Sequence, residues 1–409
     1  MTSFARRHAR ASLNGAIALI ISALSLSCSE DATEANAIVS PVALRNFVFQ
    51  ETVVYADTTA QFMRHIPMGG PVNLAGRATG CTAKTLLQFT PAYLPHRDTV
   101  SVLQATLWLK SVSWFGDSTA TCSFKVYRIN ASWNPSTVTW DSIGSGFADG
   151  PGSERGSLTI SPGPDSQWVS ISLDTAMVRV WLSSSTSADS SKFGIILVPT
   201  QGTGNIIRGF GQFSSDTSLT PRLTIIARGP NTSTPDTNSY STGFGTFVGN
   251  LDSPVADPSQ LYVQSGIVRR VVLHFNVSAI PKGAFVSKAN LLMNLSTGAS
   301  ILNRFAGSHS VIAHLLSSPT DTTIYDTYRY TTGGIKSGDT MSTDMRYIVQ
   351  TWIKGPNYGA VISTTSSADY LSGKNSEHSS LDLYVFSGIT PATPLSRRPR
   401  IHIIYALGQ

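Results

Sequence analysis

Along most of the chain apolar and polar residues alternate with a period of two, the signature of strands that bury one face. In "CTAKTLLQF" Cys81 shares a face with Leu87 and Phe89, and in "TCSFKVYRI" Cys122 shares one with Phe124 and Val126. Near the end, Ile401, Ile403 and Tyr405 alternate with Arg400, His402 and Ile404. One stretch, "STDMRYIVQTWIKGPNYGAVIST", breaks the period. Its Met345, Ile348, Val349, Trp352 and Ile353 fall on one face of a helix. Ser342, Thr343 or Asp344 can cap that helix, Gly355 and Pro356 stop it, and an extended run resumes.

The pattern then repeats. "KTLLQFTPAYLPHRDTVSVLQATLWLK" from Lys84 matches "RVVLHFNVSAIPKGAFVSKANLLMNL" from Arg270: a strand ending in Phe, a turn with Pro, and a longer aliphatic strand. A second helix pairs Met177 with Ile348, Val178 with Val349 and Trp181 with Trp352, each followed by an aromatic-Gly strand, "FGIIL" or "YGAVI". "LTPRLTIIA" matches "SRRPRIHIIY". Corresponding elements keep their order at offsets of roughly 170 to 190 residues, which is a duplicated domain and not a small-unit solenoid. The polar stretch "RGPNTSTPDTNSYSTG" divides the copies, so residues 47–228 and 243–409 are expected to be two β-sandwiches joined by a linker over 229–242. A helix with Trp on its apolar stripe is suited to plug the open end of a sandwich.

Composition agrees with an all-β chain. Of 409 residues only 13% are charged, and Gly, Ser, Thr and β-branched residues abound. The first residues do not belong to the fold. Arg6, Arg7, His8 and Arg10 precede an apolar run from Ala16 to Leu26 and then Cys28, so residues 1–27 read as a signal peptide of the bacterial lipoprotein kind. Cys28 would carry the lipid, and residues 28–46 would form a small, polar tether. An ordinary cleaved signal and an uncleaved anchor are the alternatives. Without the signal, the net charge of +6 falls to 27 basic against 24 acidic residues, too balanced for nucleic-acid binding. The expected location is extracytoplasmic, with lipid as the sole membrane contact.

Cys81 and Cys122 both point with core residues. In an oxidising compartment they are expected to form a disulfide closing roughly 40 residues, on the order of 4 kcal/mol; two buried thiols are the alternative.

The segment order resembles the DNRLRE domain family of bacterial secreted and surface proteins. The resemblance rests on "LLQF", the Pro turn, "ATLWL", "VYRINASWNPSTVTWDSI", the Trp helix, the aromatic-Gly strand and the closing "RP" strand into "IIY". Its most specific piece is Trp133 and Trp140 in "SWNPSTVTW", with "VQTWIKGPNYG"; the second copy carries "TIYDTYRYTT" in place of the former. The resemblance covers nearly all of Val53 to Tyr405. It implies two tandem jelly-roll-like β-sandwich domains, each with one short helix, and the binding of glycans, since related modules bind alginate-type polyuronates.

Glycan binding calls for exposed aromatic faces and orienting polar groups. Trp114 and Phe115 in "SVSWFGDST" are placed in a turn, and Tyr328 and Tyr330 share a face in "YDTYRY". If the strands holding Arg270 with His274 and Arg400 with His402 are neighbours, those four residues form a basic strip for carboxylates; a charged face that merely keeps the sheet soluble is the alternative. Catalytic motifs are absent: no Gly-x-Ser-x-Gly, phosphate loop or His-Glu-x-x-His occurs. His309 and His314 fall on opposite strand faces, so no metal or other cofactor is expected. The expected function is non-catalytic binding of extracellular polysaccharide, with acidic, uronate-type chains among the candidates. Alternatives are a structural or adhesive surface protein contacting other envelope proteins and, more distantly, a polysaccharide lyase or hydrolase.

Overall fold

The computed structural model describes residues 47–408 except 79, 90–98, 164–165, 183–192, 213–216, 253–256, 303–309, 320–330 and 365–378. The fold is all-β and sandwich-like, with two extended sheets and two α-helices among the described residues. Ten strands and one helix come from the first copy: β1 (Phe47–His65), β2 (Val72–Ala78), β3 (Cys81–Phe89), β4 (Ser101–Gly116), β5 (Cys122–Arg128), β6 (Gly156–Ile160), β7 (Gln167–Ser172), α1 (Thr175–Leu182), β8 (Ile195–Pro199), β9 (Ile206–Gly211) and β10 (Arg222–Arg228). The second copy supplies β11 (Asp236–Leu251), β12 (Gln260–Gln264), β13 (Ile267–Phe275), β14 (Phe285–Asn294), β15 (Ser310–Leu315), β16 (Thr331–Ser337), β17 (Thr340–Asp344), α2 (Arg346–Lys354), β18 (Ala360–Thr364), β19 (Leu383–Ser387) and β20 (Arg400–Gly408).

Both sheets close on themselves. In the second, pairings run β1-β20-β14-β17-β16-β15-β18-β13 and return to β1. In the first they run β11-β10-β4-β9-β2-β3 and return to β11, with β8, β5 and β6 continuing from β3 and β7 beside β4. The outer strands are the ends of the branches that leave the rings: β6 and β7 in the first sheet, and β19, reached from β13 through β12, in the second.

Chain order and sheet membership cross at the first strand of each copy. β1 begins the first copy, yet it lies between β20 and β13 of the second. β11 begins the second copy and lies between β10 and β3 of the first. The two placements share one register: Ala56 faces Phe275 as Thr242 faces Phe89, and 242 less 56 and 275 less 89 are both 186. Each strand has a bulge at the changeover, at Asp57 and at Gly243. The halves have therefore exchanged their first strands about a pseudo-twofold relation.

Two expected boundaries change accordingly. Residues 47–65 belong to the second sheet, and the supposed linker 229–242 contains the start of β11. Asp236 to Ser241 bury little, but a backbone ladder to Arg222–Ala227 holds them extended whatever their side chains.

The helices act as the apolar stripe predicts. Trp181 of α1 stacks on Phe89 with centroids 6.3 Å apart, and Trp352 of α2 stacks on Phe275 at 6.1 Å. Met177, Val178 and Trp181 are buried in the first core, as are Ile348, Val349 and Trp352 in the second. Asp174, at the N-cap of α1, accepts the backbone N–H of Ala176 at 2.9 Å, whereas the N-cap of α2 is Met345 and Asp344, one residue before it, accepts the N–H of Arg346 at 3.0 Å. A third apolar cluster joins the halves, with Ile66, Met68, Cys81 and Phe115 against Phe247, Ile267, Val268 and Leu381.

The cysteines are free thiols, so the expected disulfide is corrected. Cys122 lies in the first core and Cys81 in the cluster between the halves, because β3 is long enough to serve different cores along one face. Burial pushes the Cys122 thiol up to about 12, with Arg208 opposing, and raises that of Cys81.

Candidate functional site

A cleft of about 350 Å³ opens where the end of β13 meets the end of α2. His274 is the penultimate residue of β13, and the chain then turns through Asn276 to Lys282 before β14. That turn is fixed locally. Asn276 Oδ1 accepts the backbone N–H of Ser278 at 3.0 Å, and the N–H of Ile280 donates to the Val277 carbonyl at 3.0 Å. The opposite wall is Trp352, Ile353, Gly355 and Asn357. Asn357 Nδ2 donates to the Phe275 carbonyl at 2.8 Å, while its Oδ1 accepts from the N–H of Gly359 at 3.0 Å. Both walls are thus tied to the same strand.

The chemistry of the lining is mixed. Val277, Ile280 and Ile353 give it an apolar part; Asn276, Ser278 and Asn357 give it amides and a hydroxyl. Lys282 is exposed and makes no ion pair among the described residues. His274 Nδ1 donates to Asp57 Oδ1 at 2.8 Å, because a carboxylate can only accept. Trp352 is 3% exposed, and its Nε1 has no hydrogen-bond partner. An indole N–H without a partner is uncommon in a buried ring, and it belongs to a residue lining the cleft. Among the described residues no carboxylate lines the cleft, and Asp57 touches it only through His274.

The structure rearranges most of the expected binding residues. Trp114 and Phe115 are not in a turn: β4 runs to Gly116, paired with β9, and buries them at 5% and 3% exposure. Trp114 faces the first core and Phe115 the cluster between the halves. The basic strip does not form, because β1 separates β13 from β20. Acids on β1 engage its histidines, Asp57 with His274 and Glu51 with His402. Arg270 is 1% exposed, and Arg400 donates to the carbonyls of Ser396 and Arg398. Of the strip only His274 reaches the cleft. Cys28, Tyr328 and Tyr330 lie outside the described residues.

Trp133 and Trp140 help cover an outer face of the first half. Trp133 Nε1 donates to the Phe193 carbonyl at 2.8 Å, and the Lys84 ammonium sits 4.4 Å from the Trp140 ring centroid. Sequence reading missed Lys282, Ser278 and Asn357. The usable signals were the Asn-x-Ser turn of "NVSAIPKG" and the Asn in "GPNYG".

No protein-family model, curated protein or solved structure matches this chain.

Proposed function

We propose that the protein is a non-catalytic binding protein of the bacterial cell envelope, lipid-anchored through Cys28, and that the cleft beside Trp352 takes acidic, uronate-type polysaccharide. The observation that carries this reading is the lining: the amides of Asn276 and Asn357 and the Ser278 hydroxyl stand with Lys282 and His274 around an apolar wall. A uronate offers the complement, with a carboxylate for the Lys282 ammonium, hydroxyls for the amides and a C–H face for the aliphatic side chains. The DNRLRE resemblance points to the same ligand class. Charge-assisted hydrogen bonds to a carboxylate contribute about 1.5–3 kcal/mol each, enough for one cleft to recognise an acidic sugar weakly and repeats of that sugar to add avidity.

Calorimetry of the chain from Cys28 onward, against polyuronate oligosaccharides and neutral glycans, tests the reading. Binding of the uronates that falls with salt supports it. Absence of heat with every glycan, or unsaturated products or new reducing ends during incubation, removes it.

A further inference from the structure

The exchanged first strand points to a second kind of binding site, independent of the glycan reading. β1 fills a slot that bridges β20 and β13: Phe47–Tyr55 pair with β20 and Ala56–His65 pair with β13, from Phe47 opposite Gly408 to His65 opposite Ile267. The equivalent strand β11 fills the equivalent slot in the first half, but it is delivered by a hairpin, since residues 229–235 join it directly to β10. β1 has no such link to β20. Among the described residues it is joined onward only at its other end, through Ile66–Pro71, the sequence "IPMGGP". The pairing that covalent structure dictates for β11 is thus left to recognition for β1.

We propose that the slot between β13 and β20 also accepts β1 from a second copy of this chain, so that copies join by strand exchange. Every backbone pairing that β1 makes would be kept, because β13 and β20 present the same ladder to a strand from either copy. Only the route of Ile66–Pro71 must change. That segment is only six residues long and holds two prolines, which limit its routes, beside Gly69 and Gly70, which let it turn, and a hinge that short favours exchange between copies. Two copies that swap β1 reciprocally form a closed dimer; copies that pass it onward form a filament in which each N-terminal strand completes the preceding molecule. Within each molecule β11 completes the preceding copy of the repeat in this same manner.

Val53 and His402 face each other across β1 and β20, both at least partly exposed, and this gives the test. V53C and H402C are made in separate chains in a C28S background; Cys81 and Cys122 are buried and stay out of reach of reagent in the folded protein. The two chains are unfolded together, refolded at rising concentration and treated with a short thiol-to-thiol cross-linker. The expected product has twice the chain mass, is joined between positions 53 and 402, and increases with concentration. V53C mixed with K125C is the control for chance collision. The proposal is overturned if the first mixture gives no more doubled product than the control while a single V53C/H402C chain cross-links internally. Light scattering of the unsubstituted chain after the same refolding reads exchange without any cysteine, and a purely monomeric chain at every concentration overturns it as well.

Discussion

Asp57 accepts a hydrogen bond from His274 at 2.8 Å, and this contact ties the first strand of the chain to the wall of the cleft in the second half. Asp57 is also the bulge residue of β1, the point where the strand leaves β20 for β13. A bulge re-aims a side chain out of the regular alternation, here toward β13.

Two substitutions at this corner are expected to act in opposite directions. K282A removes the unpaired cation of the cleft and should weaken uronate binding about tenfold, with neutral glycans and thermal stability unchanged. D57N removes the negative charge beside His274 and should strengthen uronate binding about two- to fivefold at low salt, an effect that fades as salt rises. Titration calorimetry at two ionic strengths reads both; equal affinity in the three proteins would show that the cleft is not the site.

Trp352 has separable parts. W352F keeps an aromatic ring over Phe275 and deletes an Nε1 that is shut off from solvent, so glycan affinity should change little and stability only modestly. W352A empties a core position and is expected to lower stability by about 3–5 kcal/mol. W181A should cost a similar amount through the Phe89 contact, while leaving the cleft in the second half intact. Urea unfolding of the three variants, alongside calorimetry of W352F, distinguishes ring from N–H.

The aromatic-Gly strands depend on their glycines. Gly194 and Gly359 both have φ of +92°, and a Cβ there would lie 2.1 Å from the Leu87 carbonyl oxygen and 2.7 Å from that of Leu273. G194A and G359A should therefore each lower stability by at least about 1–3 kcal/mol, whereas G298A, with open space around it, should change little. Thermal melts of the three variants check this.

Acid should weaken the second half through His314. Burial lowers its pKa from 6.5 to about 4, and the Arg270 charge adds to the effect. In the folded chain His314 stays neutral, with Nε2 3.0 Å from the Ser363 hydroxyl, while in the unfolded chain it takes up a proton below about pH 6.5. Its contribution is thus complete above pH 6.5 and is lost as pH falls toward 4, by up to about 3 kcal/mol. Urea midpoints at pH 7 and pH 4.5 measure the loss, and H314Q should reduce the difference between them.

The elements of the fold were largely legible in the chain. Strand alternation and the one-sided helix are local, so Trp352 and its partner Trp181 could be placed on buried faces from spacing alone. The duplication was legible too, since matching segments carry matching contacts: Leu87 and Leu273 receive the same glycine. Which sheet each copy's first strand would join was not. That choice depends on a distant ladder, and nothing in the side chains of β1 names β13 and β20 as its neighbours. The candidate site failed at the same point. With β1 interposed, His402 meets Glu51 and His274 meets Asp57, and a strip drawn from parity alone dissolves. Trp114 and Phe115 were misplaced for a different reason. "WFGD" reads as a turn, but β9 keeps the strand paired through Phe115 and Gly116.

Phe47 lies opposite Gly408, just as Asp236 lies opposite Ala227, so the gap between the chain's described ends and the loop between β10 and β11 are equivalent joints in a ring of four connections. Which joint is left open is a matter of gene order. A circular permutant that bridges Gly408 to Phe47 and begins at Asp236 should reach the same fold, with the roles of donor and hairpin strand traded between the two halves.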